Sequence, residues 1–320
     1  MEQLVKLVGI ARLASEGSLL AEKRRVEYRT LPTRKWLNRC DSRRVPFHWT
    51  INPYRGCEYG CKYCYARFTH EFLERLALDA FETEIYAKDW DAEEFRRELK
   101  AVKPGQVIGL GTATDPYQPA ERRFGLTQTV LNALLGMEGI SLFITTKSDL
   151  AARDAAILCK LAEVNEVRVT VTVTTMDREL ARLLEPLAPR PDLRLEAVRE
   201  LAHAGVPTGV IASPVLPLLT DTESSLESVA RAAKAAGAGQ FGAHVLFLKR
   251  SVQRVFFPFL EANFPQYLRH YRSGYAAGAY LKGSYPEKIR ERVASIRERV
   301  GIAKRDLERS APPRSQMLLF

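Results

Sequence analysis

This 320-residue chain contains three closely spaced cysteines, which are its strongest candidates for binding a metal cluster. Cys57, Cys61 and Cys64 follow the pattern C-x-x-x-C-x-x-C, and a glycine precedes each of the first two. Three soft thiolates at this spacing can bind three irons of one [4Fe–4S] cube, because glycine lets the backbone turn tightly enough to aim them inward. The fourth iron then has no protein ligand. It can chelate the amino and carboxylate groups of a methionine moiety and pass an electron to its sulfonium.

Two other uses of spaced cysteines remain open. Structural zinc needs four nitrogen or sulfur ligands, and His70 is the nearby candidate for the fourth. A cluster that only carries electrons usually has four cysteines, and neither Cys40 nor Cys159 has ferredoxin spacing. Cys159 lies in an apolar helical run and is expected to be a small buried residue, while the role of Cys40 is open.

Strand-like and helix-like runs alternate from residue 47 to residue 303 without an internal repeat. Runs rich in Val, Ile, Thr and Phe predict strands at residues 49–53, 83–87, 107–111, 142–146, 167–174, 206–212 and 243–247. Amphipathic runs predict helices at residues 92–102, 127–137, 149–164, 177–185, 195–204 and 223–236. Because strand and helix follow each other about six times, we expect an α/β fold, a partial (β/α)6 TIM-like barrel.

The barrel is predicted to span residues 47–250 and to carry the cluster loop at residues 54–66. A basic N-terminal extension, residues 1–46, comes before it. A C-terminal helical cap, residues 251–303, follows it, and residues 304–320 are predicted to be a flexible tail. Barrels of this kind place their chemistry at the carboxyl ends of the strands, so the loops there are expected to surround the site.

The cysteine pattern, with the aromatic Tyr63 before the last cysteine, resembles the signature of the radical S-adenosylmethionine (SAM) superfamily. The stretches NPYRGCEYGCKYCYAR, GLGTATDPYQPAE and ITTKS more closely resemble the spore photoproduct lyase-like branch, also described as DNA repair photolyase-like, over residues 47–247. The resemblance implies a [4Fe–4S] cluster that cleaves SAM to an adenosyl radical, which abstracts hydrogen from a substrate. It also implies an external low-potential electron donor, a ferredoxin or flavodoxin.

The resemblance further implies which residues contact SAM. All of these residues lie at or near the ends of predicted strands, around the barrel mouth. Those expected near the methionyl amino group are Thr112, Thr114 and Asp115; those near its carboxylate are Lys147 and Ser148; those near the ribose are Thr172 and Thr174.

One departure from the lyase pattern limits the implied reaction. The photoproduct lyase uses an additional cysteine as hydrogen-atom donor, and residues 112–121 here contain none. Cleavage of thymine dimers is therefore not implied. Tyr65 and Tyr117 are candidates to relay a radical, although tyrosines beside a cluster more often exclude water. Glu121 is a candidate ligand or, equally, part of a surface ion pair with its arginine neighbours.

The net charge of +10 is concentrated at the two ends of the chain. Residues 1–50 contain 11 basic and 5 acidic residues, and residues 249–314 contain 15 and 6. Basic flanks suit a polyanion such as nucleic acid, because Lys and Arg release counterions from phosphates, but solvated helix faces explain them equally well. Cations also alternate with Phe256, Tyr271 and other aromatics, which predicts either a base-binding surface or core packing.

The last five residues, QMLLF, from Gln316 to Phe320, resemble the short motif by which bacterial repair proteins bind the sliding clamp. Packing of the tail on its own barrel is the alternative.

No run of about 18 apolar residues is present to cross a membrane, and the cysteine number is odd, so a cytoplasmic protein without disulfides is expected. Nucleic acid is the favoured substrate. Radical modification of a protein or small metabolite is one alternative, and a non-catalytic iron–sulfur or zinc module that binds nucleic acid is another.

Overall fold

The computed structural model describes residues 7–304 apart from residues 24, 34 and 42–44. In this part of the chain the strands are β1 (Leu19–Lys23), β2 (Val26–Leu31), β3 (Leu37–Arg39), β4 (Trp49–Ile51), β5 (Tyr54–Arg55), β6 (Glu84–Lys88), β7 (Val107–Leu110), β8 (Ser141–Thr146), β9 (Glu166–Thr172), β10 (Thr208–Val215), β11 (Gln240–Val245) and β12 (Ala303–Lys304). The helices are α1 (Gly9–Glu16), α2 (Phe68–Glu71), α3 (Ala80–Thr83), α4 (Ala92–Leu99), α5 (Pro119–Phe124), α6 (Leu126–Leu134), α7 (Ala155–Val164), α8 (Arg178–Leu184), α9 (Pro191–His203), α10 (Glu223–Ala235), α11 (Arg250–Asn263), α12 (Pro265–Gly274) and α13 (Tyr285–Val300). The predicted clamp motif, from Gln316 to Phe320, lies outside the described residues.

The larger sheet is an open barrel. Its strand order among the described residues is β12-β11-β10-β9-β8-β7-β4-β3. The six strands β4, β7, β8, β9, β10 and β11 pair in parallel, while β3 is antiparallel to β4 at one edge and β12 extends the other edge. Because different strands occupy the two edges, the sheet does not close. The prediction of a partial (β/α)6 TIM-like barrel is confirmed.

The barrel strands are apolar because crossover helices cover them. All four residues of β7 are buried. Helix α10 buries Leu226, Val229 and Ala233 and packs on β10, and Asp91 begins α4 by accepting hydrogen bonds from two backbone N–H groups. Helix α9 ends before Gly205, whose φ of 85° places it in the left-handed region that terminates many helices.

A smaller sheet, in the order β1-β2-β6-β5, corrects one expectation. The predicted strand at residues 83–87 forms as β6, but it pairs with β2 and β5 rather than joining the barrel. A short buried strand has the same apolar pattern in either sheet, and its partner β2 lies in the segment predicted only as a basic extension. That extension therefore supports the cluster loop: the Tyr28 hydroxyl of β2 donates to Glu58 at 2.9 Å.

A second apolar core joins the cluster loop to the C-terminal helices. It contains Cys57 and Cys61 together with Leu246, which follows β11, and Val252 and Phe256 of α11. Packing of this core fixes the position of the cluster loop relative to the mouth of the barrel.

Candidate active site

The third residue of the cluster loop is a glycine that the fold requires. Gly56 has a φ of 82°, and a Cβ atom there would lie 2.8 Å from the Glu84 carbonyl oxygen and 2.9 Å from that of Phe81. The next residue, Cys57, donates its N–H to the Phe81 carbonyl at 2.8 Å. Only glycine tolerates both the backbone conformation and the close approach of α3.

All three cysteines line one cavity that opens to solvent. Its other walls are the segments that follow β7 and β8 and the end of β9. We call it the cofactor cavity, and the residues that line it are Cys57, Tyr59, Cys61, Cys64, Tyr65, Ala66, Gly111, Thr112, Thr114, Asp115, Thr145, Thr146, Lys147 and Thr172. It lies at the carboxyl ends of the strands, where barrels of this kind place their chemistry.

The three thiols are soft donors of the kind that an iron–sulfur cluster takes as ligands, and all three are at least partly shielded from water. Burial raises the pKa of Cys57, Cys61 and Cys64. For Cys61, burial outweighs the opposing effect of the Lys147 ammonium and raises the pKa to about 12. A buried thiolate therefore needs a nearby positive charge, and iron provides one when it displaces the thiol proton.

His70, the candidate fourth zinc ligand, does not lie with the three cysteines. No group of three or more His, Cys, Asp or Glu side chains in this part of the chain could hold one metal ion. His70, the candidate fourth ligand, is buried with its Nε2 atom 3.0 Å from the Glu84 carbonyl oxygen. It does not line the cofactor cavity.

Two side chains from the segment after β7 hold the backbone on both sides of Cys57. The Thr114 hydroxyl donates to the Gly56 carbonyl at 2.5 Å, and the fully buried Gln118 amide donates to the same carbonyl at 2.9 Å. The Gln118 amide oxygen accepts from the Glu58 N–H at 3.0 Å. Sequence reasoning missed Gln118, although it lies in the stretch GLGTATDPYQPAE.

Asn52 links the cysteine motif to the same segment. Its side chain donates to the Thr112 hydroxyl at 3.1 Å and accepts from the Ala113 N–H at 2.7 Å. The Thr112 carbonyl also accepts a hydrogen bond from the hydroxyl of Tyr65. Tyr65 is half exposed at the rim of the cavity, whereas Tyr117 is buried and does not line it.

Asp115 joins the ends of β7 and β8. Its carboxylate accepts from the Thr146 hydroxyl and the Lys147 N–H, both at 2.6 Å, and from the Tyr117 N–H at 3.0 Å. Burial raises the pKa of Asp115, and these three hydrogen bonds oppose the rise. The carboxylate therefore orders the loop that presents Lys147 to the cavity.

Lys147 is the ammonium group that lines the cofactor cavity. Its Nζ lies 5.6 Å from the centre of the Tyr63 ring. Burial lowers the pKa of Lys147, whereas attraction to the Glu185 carboxylate and to Cys61 in its thiolate form raises it, and the net shift is upward. Lys147 is therefore cationic and suited to a carboxylate.

A buried ion pair lies behind Lys147, and sequence reasoning missed it. Arg194 of α9 donates to Glu185 at 2.5 Å and to the Thr172 carbonyl at 3.1 Å. Glu185 also accepts hydrogen bonds from the hydroxyls of Thr174, at 2.7 Å, and Tyr63. The pair therefore connects the cluster loop to the end of β9.

Two of the predicted SAM contacts lie in structural networks. Thr174 is bound to Glu185 as described, and Ser148 accepts from the Leu150 N–H at 3.2 Å at the start of a 3-10 turn. Neither residue lines the cofactor cavity, whereas the other five predicted contacts do.

Glu121 is neither a cavity ligand nor a surface residue, so both expectations for it are wrong. Its carboxylate is fully buried and accepts from the Tyr54 hydroxyl at 2.6 Å, the Thr127 N–H at 2.8 Å and Arg153 at 2.7 Å. Proximity to Arg122 and Arg123 in sequence was misleading, because helix α5 directs Glu121 inward.

Two aromatic residues and two cysteines singled out in the sequence lie outside the cofactor cavity. Phe256 and Tyr271 are buried, so core packing is confirmed for these aromatics. Cys159 is half buried on α7, with its Sγ 2.8 Å from the Ala204 carbonyl oxygen, and Cys40 is half buried beyond β3. Neither cysteine lines the cofactor cavity.

An open parallel barrel with three cysteines facing its carboxyl-terminal mouth defines a class of cofactor-dependent enzyme. Residues 51–233 match the model of the radical SAM superfamily, and the chain belongs to this family. Its members are enzymes, and the cofactors are SAM and a [4Fe–4S] cluster. No helix among the described residues is long and apolar enough to cross a membrane.

Two relatives match more than half of the chain. An uncharacterised protein of Mycobacterium tuberculosis is 37% identical over 281 residues, which cover 86% of this chain and 80% of the relative. One from Methanocaldococcus jannaschii is 28% identical over 218 residues, covering 68% and 77%.

Solved structures share the fold. Spore photoproduct lyase complexed with dinucleoside spore photoproduct matches with a TM-score of 0.62 and 13% identity, over 94% of this chain and 85% of that one. SuiB of Streptococcus suis, bound to the precursor peptide SuiA, matches with a TM-score of 0.51 and 13% identity, over 80% and 47%. The predicted resemblance to the lyase branch is confirmed at the level of the fold.

Proposed function

We propose that this radical SAM enzyme abstracts a hydrogen atom from a base or sugar of nucleic acid, as a repair or modification enzyme. The observation that supports it best is the cofactor cavity, where the three cysteines meet polar groups from the ends of three neighbouring strands. When bound, the cluster supplies the electron that cleaves SAM to methionine and the 5′-deoxyadenosyl radical.

The residues of the cavity have distinct roles in this proposal. Cys57, Cys61 and Cys64 bind the cluster. The Lys147 ammonium pairs with the methionine carboxylate, the Thr112 hydroxyl, which accepts a hydrogen bond from Asn52, has a second lone pair for the amino group, and the Thr172 hydroxyl is available to the ribose.

The remaining predicted contacts order the protein around the cavity instead of binding SAM directly. Thr114 and Asp115 line the cavity but are committed to loop hydrogen bonds, and Ser148 and Thr174 lie behind it. Tyr65 is placed to exclude water from the rim, since its hydroxyl bonds the Thr112 carbonyl. A ferredoxin or flavodoxin would supply the electron.

The choice of nucleic acid depends on charge. The two flanks of the chain, residues 1–50 and 249–314, carry net charges of +6 and +9, whereas the rest carries −5, and the spore photoproduct lyase that shares the fold has been solved with dinucleoside spore photoproduct. The fold likeness to SuiB, solved with a precursor peptide, favours peptide modification as the second candidate. Docking on the sliding clamp through residues 316–320 stays a proposal.

Anaerobic reconstitution with iron and sulfide, followed by dithionite and SAM, tests the enzyme class. Wild-type protein is expected to release 5′-deoxyadenosine. The matched variants are Cys57→Ala, which removes a proposed ligand, and Cys159→Ala, which removes a thiol outside the cavity. Absence of 5′-deoxyadenosine from the wild type, or equal product from Cys57→Ala, contradicts the proposal.

The same assay identifies the substrate class. Single-stranded DNA, duplex DNA, RNA and unrelated peptides are added in parallel, each at two salt concentrations. Nucleic acid is expected to stimulate turnover, and the stimulation should fall with salt because phosphate contacts release counterions. Stimulation by peptides alone favours the second candidate.

A further inference from the structure

Aromatic rings and a cation form a continuous row at the mouth of the barrel. The rings of Phe72 and Phe68 lie 5.7 Å apart, and the Lys249 ammonium is 3.5 Å from the centre of the Phe68 ring. The same ammonium lies 6.0 Å from the Phe247 ring, which packs 4.5 Å from Tyr280. We call these five residues the aromatic row.

The row adjoins the cofactor cavity although its members are far apart in sequence. Phe68 directly follows the 3-10 turn whose first two residues, Tyr65 and Ala66, line the cavity, and α11 packs on that turn. The Leu248 N–H donates to the Ala279 carbonyl at 2.9 Å, which holds the loop of Tyr280 against the end of the barrel.

The two end rings of the row are open to solvent, and the segment that contains Lys249 and Tyr280 is rich in positive charge. Phe72 is 58% exposed and Tyr280 is 50% exposed. Residues 249–282 contain six Lys and Arg residues against one acidic residue. Arg250 and Arg254 are exposed at the start of α11, and neither forms an ion pair with a residue that the structure describes.

We propose that the aromatic row is a stacking platform for unpaired nucleobases, so that the enzyme binds single-stranded nucleic acid. Exposed rings offer faces to successive bases, while Arg250 and Arg254 pair with the phosphates between them. Lys249, held between two rings, stiffens the platform by cation–π contact. Bases in a duplex are already stacked on each other and cannot use such a surface. This inference rests on the proposed nucleic-acid substrate.

Binding of labelled oligonucleotides to the full chain, followed by fluorescence anisotropy, tests the platform. The probes are single-stranded DNA, single-stranded RNA and a duplex hairpin. Tyr280→Ala is expected to weaken single-strand binding roughly 10-fold, whereas Tyr280→Phe keeps the ring and binds like wild type. Phe72→Ala should act like Tyr280→Ala.

Charge is tested with a matched pair of variants. Arg254→Ala should lower the slope of log affinity against log salt by about one, as the loss of one phosphate contact does. Lys160→Ala, which removes an exposed cation on α7, should leave the slope unchanged. Dithionite-driven release of 5′-deoxyadenosine without nucleic acid should be equal in all these variants.

The outcomes separate this inference from the proposed function. If wild type binds single strands but Tyr280→Ala and Phe72→Ala bind as tightly, or if wild type prefers the duplex, the platform is wrong and the substrate class stands. If wild type binds no nucleic acid, the proposed substrate class fails and the platform fails with it, whereas intact SAM cleavage would still support the enzyme class.

Discussion

Replacing Gln118 with leucine should loosen the cluster loop. Gln118 is fully buried, and its amide bonds the Gly56 carbonyl, the Thr114 hydroxyl and the Glu58 N–H at 2.9 to 3.0 Å. Leucine fills similar space but leaves the Glu58 N–H without its acceptor. An orphaned buried donor costs roughly 1–3 kcal/mol, so we expect Gln118→Leu to lower the free energy of unfolding of the apoprotein by about 2 kcal/mol.

The effect should also reach the cluster, because the two backbone groups that Gln118 holds lie on either side of Cys57. Iron and sulfide bound per chain after reconstitution should fall in Gln118→Leu. Gln128→Leu is the matched control, since Gln128 donates to Asp154 at 2.6 Å and does not contact the loop. It should lose stability without losing iron.

A double-mutant cycle sharpens the test. Thr114→Val alone should cost about 1 kcal/mol, because the Gly56 carbonyl keeps its bond from Gln118. The double variant leaves that carbonyl with neither side-chain donor, so its cost should exceed the sum of the single costs by about 1 kcal/mol. Wild-type stability and iron content in Gln118→Leu, or strict additivity in the cycle, would refute this account of the loop.

Three further predictions concern buried groups near the site. Glu185→Leu leaves the Arg194 guanidinium buried without its carboxylate and should lower the free energy of unfolding by roughly 3–5 kcal/mol in urea titrations. Gly56→Ala should lower the midpoint of thermal unfolding more than Gly205→Ala. Both glycines have a positive φ, but only a Cβ at residue 56 would collide with backbone atoms, so equal midpoints would contradict this explanation. Burial lowers the pKa of His70 to about 4 from its usual 6.5, so the folded state binds fewer protons and stability should fall as pH drops from 6.5 to 4. His70→Gln should show a shallower fall in denaturant titrations across that window, and an unchanged slope would count against a buried neutral imidazole.

The candidate site could be predicted from the sequence because its residues lie in short motifs. The cysteine spacing predicted the cluster loop, and the resemblance to the lyase-like branch predicted Thr112, Lys147 and Thr172 at the barrel mouth, where all three line one cavity. Parallel strands bring their carboxyl ends to one edge, so residues there converge whatever the details of packing.

The predictions were wrong for residues whose position depends on packing against distant parts of the chain. Glu121 follows a loop and precedes two arginines, which is typical of a surface position, yet it is buried against Tyr54, 67 residues earlier. The strand at residues 83–87 joined the smaller sheet because β2, more than 50 residues earlier, pairs with it.

By itself, the sequence of this protein determined the open barrel, the cluster loop and the family, since periodicity and motif spacing are properties of neighbouring residues. Only the tertiary structure decided that Gln118 holds the loop, that Glu185 and Arg194 lie behind Lys147, and that Phe68, Lys249 and Tyr280 form one row. These contacts join segments separated by tens to hundreds of residues, and which of many polar or aromatic side chains meet is settled when the elements pack.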